Sequence, residues 1–160
     1  MLACLCMLAA PTMGTAAEPT KSKIILTVYG AATSENKRSE LKFDMAMLEA
    51  LPQVTFTTMT PWNKAPIKFT GPLLRDVLGA AKVNGKTINA SALNDYSTAI
   101  PADDAYKFDV IVAHHMDGEL IPVRTKGPLF IVYPYDSRAE LRSSTYYERS
   151  AWQLKSLSID

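Results

Sequence analysis

Residues Val123–Asp136 read Val-Arg-Thr-Lys-Gly-Pro-Leu-Phe-Ile-Val-Tyr-Pro-Tyr-Asp. Leu129–Tyr133 is an unbroken apolar run with two β-branched residues, Ile131 and Val132. Short and apolar at every position, it predicts a strand buried on both faces. Gly127-Pro128 sets a turn where the chain enters that strand. Arg124 and Lys126 stand just before the turn, placed to hold an anion or a carbonyl-rich ring; a solvated basic loop is the other reading. A strand buried on both faces needs neighbours and covering layers from the rest of the chain.

A length of 160 residues, 48% hydrophobic and 21% charged, suits one globular domain with its own core. Net charge is +1, which gives no footprint for nucleic acid or an anionic membrane. Met1–Ala17 carries no charge, Leu2–Ala10 is almost wholly apolar, and Thr15-Ala16-Ala17 before Glu18 is a small-residue cleavage site. The apolar stretch is too short to span a bilayer. We expect a secretory signal peptide over residues 1–17, without the usual basic opening, ahead of a single domain over residues 18–160. A buried N-terminal strand is the alternative. Both cysteines, Cys4 and Cys6, fall inside the leader, so the remainder offers no disulfide and no thiolate ligand.

Lys23–Tyr29 reads as a first strand and Gly30–Arg38 as a polar loop. Phe43, Met47, Leu48 and Leu51 form one helical face ahead of Pro52. Val54–Met59 is a strand, broken by Thr60-Pro61-Trp62. After a short strand at Ile67–Thr70, Gly71-Pro72 opens a helix that buries Leu73, Leu74, Val77, Leu78 and Ala81. Asn84-Gly85 is a tight turn. Thr87–Leu93 and Ser97–Ile100 are strands interrupted by Asn94-Asp95-Tyr96, and Pro101–Asp104 caps a helical turn. Phe108–Met116 is a further strand, turned by Asp117-Gly118 into Glu119–Ile121. Pro134–Arg149 reads as structureless, and Ser150–Ile159 as a closing strand. About eight strands with two or three helices make a sheet-dominated α+β domain.

His114 and His115 are adjacent on an expected strand, so their rings should point to opposite faces and cannot share a metal. No Gly-x-Ser-x-Gly, His-Glu-x-x-His or glycine-rich phosphate loop is present. Asn94 and Asp95 are poor strand residues, and an amide beside a carboxylate can address one heterocycle edge; a β-bulge with local caps is the alternative. Trp62 and Trp152 sit at strand ends beside polar residues, as core residues or as platforms for a planar ligand.

Four segments in order resemble the molybdopterin-binding domain of the sulfite oxidase type. Those enzymes carry Cys-Val-x-x-Trp, a Gly-x-Pro-Leu-x-x-Leu-Leu helix start, a Gly-x-Pro-Leu-Arg-Leu-x-x-Pro strand and a closing Lys-Trp-x-x-x-Ile strand. Here the counterparts are Thr58–Trp62, Gly71–Leu74 with Val77 and Leu78, Lys126–Pro134, and Ala151–Leu154. Thr58 stands where the resemblance implies the molybdenum-binding cysteine, and a hydroxyl is a poor substitute for a soft thiolate. Phe130 and Ala151 stand where it implies basic partners of the cofactor phosphate.

That pattern of losses is similar to small exported bacterial pterin-binding proteins. They share the Thr60–Trp62, Ala92–Tyr96, Lys126–Leu129 and Arg149–Leu154 segments. The resemblance implies a non-catalytic periplasmic receptor. It further implies that pterin is reported to a membrane-anchored diguanylate cyclase or phosphodiesterase of cyclic-di-GMP signalling. On this reading the pterin site comprises Trp62, Asn94, Asp95, Tyr96, Arg124, Lys126, Gly127, Tyr133 and Trp152. Asp95 accepts from the aminopyrimidinone edge, Asn94, Arg124 and Lys126 address the ring carbonyl and nitrogens, a tryptophan stacks, and Tyr96 and Tyr133 wall the pocket. Pro134–Arg149 covers the ligand and presents it to the partner, or is packed by its own tyrosines. A molybdopterin-dependent oxidoreductase and a ligand-free interaction module are the alternatives.

Overall fold

The computed structural model describes residues 22–32 and 38–160, so the expected leader lies outside the described residues. The chain opens with β1 (Leu26–Ala32), β2 (Arg38–Phe43), α1 (Met45–Glu49), β3 (Gln53–Thr58), β4 (Ile67–Pro72) and α2 (Leu74–Ala80). Next come β5 (Thr87–Ala92), β6 (Ser97–Pro101), α3 (Asp104–Lys107), β7 (Ile111–Ala113), β8 (His115–Met116) and β9 (Glu119–Leu120). β10 (Phe130–Val132), 3-10 turns at Tyr135–Ser137 and Ala139–Leu141, α4 (Ser144–Arg149) and β11 (Leu154–Ile159) follow.

The strands form a five-stranded sheet in the order β2-β1-β11-β5-β6, a four-stranded sheet β3-β4-β8-β9, and the pair β10-β7. Only β1 and β11 run parallel among these neighbours; the other pairs are antiparallel, as short connections favour. The pair β10-β7 holds the middle. On one side the Ile131 amide donates to the Ala151 carbonyl at 2.9 Å, and Phe130 bridges Trp152. On the other, the His114 amide donates to the Thr70 carbonyl of β4 at 3.0 Å. Covered on both faces and flanked on both edges, Leu129–Tyr133 is 0% exposed at all five positions, as an unbroken apolar run requires. Elsewhere the alternation is one-sided: β5 buries Ile88, Ala90 and Ala92 and half-exposes the residues between.

Several expectations are corrected. Pro134–Arg149 is not structureless, because its two 3-10 turns and α4 are pinned by buried Tyr135 and Leu141. Phe108–Met116 is not one strand: the chain breaks at His114, with β7 pairing β10 and β8 pairing β4. Gly71-Pro72 ends β4 rather than opening α2, whose N-cap is Leu73. Gly71 is required there because a Cβ would strike the Val112 carbonyl. Arg38–Phe43 is an edge strand whose mostly exposed residues hide its period. It claims Phe43, and Met47 is 40% exposed, so α1 buries Leu48 alone. Asn84-Gly85 is no turn; a Cβ on Gly85 would crowd the Asp160 carbonyl, which accepts from the Lys86 and Thr87 amides. The left-handed residue nearby is Lys82, just past α2.

Candidate functional site

A cavity of about 400 Å³ opens where three segments meet: the β3–β4 connection, the β5–β6 turn and α4 with its exit. The first supplies Pro61 and Trp62, and the second Asn94 and Tyr96. From α4 come Ser144, Tyr147 and Glu148, and beyond it Ser150 and Trp152.

Trp62 is the hub of the wall. Thr60-Pro61 ends the β3 register, and the Thr60 hydroxyl donates to the Asn63 side chain at 2.9 Å and accepts from the Trp62 amide at 3.3 Å. That small turn projects the indole onto Trp152, Phe130, Tyr147 and Tyr135 at centroid distances of 5.3, 5.7, 6.0 and 6.5 Å. The contacts are tilted or edge-to-face, the arrangements that ring quadrupoles favour. Trp152 is placed by its bridge to Phe130 and by its neighbour Gln153, whose amide donates to the Lys126 carbonyl at 2.8 Å.

α4 reaches the cavity because its end is anchored. Arg149 lies 2.8 Å from Asp104, and the Tyr133 hydroxyl donates to the same carboxylate oxygen at 2.8 Å. Asp104 is only 6% exposed, so the pair satisfies a charge that could not be buried alone. Burial, reinforced by Asp104, pushes the Tyr133 phenol well above its usual range. The Ser150 hydroxyl donates to the Tyr146 carbonyl and so receives the Tyr135 hydroxyl at 2.6 Å. Tyr96 closes the opposite side, its hydroxyl donating to the Glu148 carbonyl at 2.6 Å.

Of the nine residues named from sequence, the structure brings Trp62, Asn94, Tyr96 and Trp152 to the cavity. It does not bring the other five. Asp95 has a left-handed φ of 64° at the corner of the β5–β6 hairpin, so the segment is a hairpin turn rather than a bulge within one strand. Its side chain is 94% exposed and lies 3.6 Å from Lys155. Arg124 sits exposed in a turn closed by the Thr125 amide on the Pro122 carbonyl. Gly127 is buried where a Cβ would collide with the Ile121 carbonyl. Tyr133 is core. Lys126 is packed on the indoles, its ammonium 3.9 Å from the Trp152 ring centroid and 5.1 Å from that of Trp62, and burial lowers its pKa.

Pro61 and Ser150 lie outside the site named from sequence, whereas Ser144, Tyr147 and Glu148 belong to Pro134–Arg149, the segment expected to cover the ligand. The signal for the helix within that segment was Ser143 in an N-cap position with Tyr146 and Tyr147 three and four residues on, a helix start hidden inside a polar stretch. His114 and His115 also depart from expectation. Strand alternation fails across the break at His114, and their Nδ1 atoms face each other at 2.5 Å. Among the described residues, no group of three His, Cys, Asp or Glu side chains converges.

The residues do not fit a thiolate-held molybdenum centre. Thr58 is 1% exposed, and its hydroxyl accepts from the Asp136 amide at 3.1 Å while donating to the Met59 carbonyl at 3.3 Å. The hard oxygen is committed to joining β3 to the turn after β10 and is not part of the cavity wall. Phe130 and Ala151, where phosphate partners would stand, are buried apolar residues. The wall contains no Lys or Arg.

Comparison with known proteins places the fold. The crystal structure of the sulfane dehydrogenase SoxCD from Paracoccus pantotrophus superposes with a TM-score of 0.65 at 18% identity, covering 89% of this chain and 39% of that one. This chain therefore spans about two fifths of that relative's length. No curated protein matches the sequence. Residues 17–137 match the family described as oxidoreductase molybdopterin binding domain, which is most of the chain. With the sheet-dominated α+β architecture of that family in one domain, the protein belongs to the oxidoreductase molybdopterin-binding domain family.

Proposed function

We propose that this protein binds the ring system of a pterin in the cavity beside Trp62 and Trp152 and carries out no redox chemistry on it. The observation that carries the reading is the wall itself. Two indoles and two phenols bound a space of about 400 Å³, room for a bicyclic heterocycle among aromatic side chains. The family supplies pterin-type chemistry, and the committed Thr58 hydroxyl removes the means of holding a metal by a thiolate. The ligand is then a pterin free of metal and phosphate, with molybdopterin disfavoured.

The reading extends to a receptor in the periplasm that reports ligand to a membrane-anchored diguanylate cyclase or phosphodiesterase sensor. Its support is the uncharged apolar opening of the sequence and the resemblance to exported pterin-binding proteins. Titration calorimetry with reduced and oxidised pterins is the test, alongside metal analysis of protein from a molybdenum-replete host. Saturable pterin binding without stoichiometric molybdenum is the expected result. Absence of binding at millimolar pterin, or one molybdenum per chain, overturns it. Co-purification with such a sensor ectodomain, dependent on pterin, tests the partner.

A further inference from the structure

Among the residues lining the cavity, one carries a charge: Glu148. Its backbone is held, since its carbonyl accepts from Tyr96 at 2.6 Å and the following Arg149 is tied to Asp104. Among the described residues its carboxylate has no ion-pair or hydrogen-bond partner. Glu148 is an exposed residue on an otherwise neutral aromatic wall, so its unpaired carboxylate is open to donors on a ligand.

Asn94 complements it across the wall. Its side-chain oxygen accepts from the Tyr96 amide at 3.2 Å, which leaves the NH₂ group of this lining residue without a protein partner among the described residues and free to donate to a ligand. The wall thus presents two acceptor oxygens on Glu148 and a donor on Asn94. The 2-amino-4-oxo edge of a pterin presents the inverse: an exocyclic N–H, a ring N–H and a carbonyl oxygen. A dioxo edge of the lumazine type sets a carbonyl against the carboxylate instead, which repels.

We propose that Glu148, with Asn94, reads the 2-amino-4-oxopyrimidine edge of the ligand and makes the cavity selective for it over dioxo and phosphorylated heterocycles. The proposal rests on the pterin reading above and names the specificity of that same site. Glu148 replaces Asp95 in the role that sequence reasoning assigned. Glu148 is the one charged residue lining the cavity, so a phosphate beside it meets repulsion, while the Lys126 ammonium is already held on the indole faces. The ring N–H to carboxylate bonds are charge-assisted, of the stronger kind.

Titration calorimetry on the full chain, with pterin, lumazine, guanosine and a pterin bearing a side-chain phosphate, tests this. Wild type is expected to bind pterin at least about tenfold tighter than lumazine or the phosphorylated pterin. Glu148→Gln should lose about ten- to hundredfold of the pterin affinity while raising lumazine affinity, since the dioxo edge no longer faces an anion. Glu148→Ala serves as the second variant, and unchanged thermal melting of both separates a lost contact from a lost fold. Equal affinity for pterin and lumazine in wild type, or unchanged pterin affinity in both variants, overturns the edge assignment and leaves the pterin reading standing. No pterin binding by wild type overturns both. Guanosine shares the edge on a different ring: binding as tight as pterin supports the edge assignment and overturns the pteridine reading.

Discussion

The indoles of Trp62 and Trp152 meet at 85° with centroids 5.3 Å apart, one from the β3–β4 connection and the other from the run into β11. Neither would hold that angle alone. Each touches Phe130, so the central strand acts as the ruler between them. Trp62→Ala should therefore cost about 3 kcal/mol and open the cavity, since four aromatic contacts are lost together. Trp152→Phe, which keeps a ring under the Lys126 ammonium, should cost about 1 kcal/mol. Urea unfolding and the near-ultraviolet dichroism of the two proteins check the order.

Asp104 gathers Tyr133 from the central strand and Arg149 from the end of α4. Asp104→Ala leaves a partly buried guanidinium without its anion and should destabilise by about 3 kcal/mol, the low end because Arg149 retains some solvent. Tyr133→Phe removes one hydrogen bond to a charge and should cost about 1.5 kcal/mol. Pterin affinity should fall in Asp104→Ala, because α4 carries Tyr147 and Glu148 into the cavity. Denaturation and calorimetry on the same samples give both readings.

Stability should fall with acid through the histidine pair. Burial first, and then His115, lower the pKa of His114 below 6.5 in the folded state. The unfolded chain therefore binds more protons than the folded one as pH drops below 6.5, and stability is lost across that window. His115→Ala should move the His114 titration back toward its ordinary value, read by NMR of the ring protons. At the alkaline end the sign reverses. Tyr133 and Tyr135 are held above 10.0 mainly by burial, so stability present below that pH is lost as it rises further. Melting temperature measured from pH 5 to 11 should show both flanks.

Gly71 lets the backbone of β7 lie against β4. A methyl group there meets the Val112 carbonyl, which belongs to a buried strand and cannot move aside alone. Gly71→Ala should cost about 2 kcal/mol or more and lower soluble yield. Gly79→Ala, whose new methyl meets no neighbouring atom, is the matched control and should stabilise α2 by about 0.5–1 kcal/mol.

The sequence by itself determined the organising strand, the sheet-dominated class and the two tryptophans. An apolar run at Leu129–Tyr133, alternation in β5, the Asp117-Gly118 hairpin and the breaks at Pro61 and Asp95 are local signals, written in side-chain type and backbone preference. Tertiary structure alone decided which polar groups meet the cavity. Asp95 and Glu148 are equally acidic on paper. One stands at a left-handed corner away from the cavity, and the other, also exposed, is set on the cavity wall by the helix whose Arg149 finds Asp104 across 45 residues. His114 and His115 face each other because a strand ends between them, and Thr58 lost its freedom to an amide 78 residues away. Such long-range pairings leave no period in the chain, since the partner's distance in sequence is set by the fold and not by any local repeat.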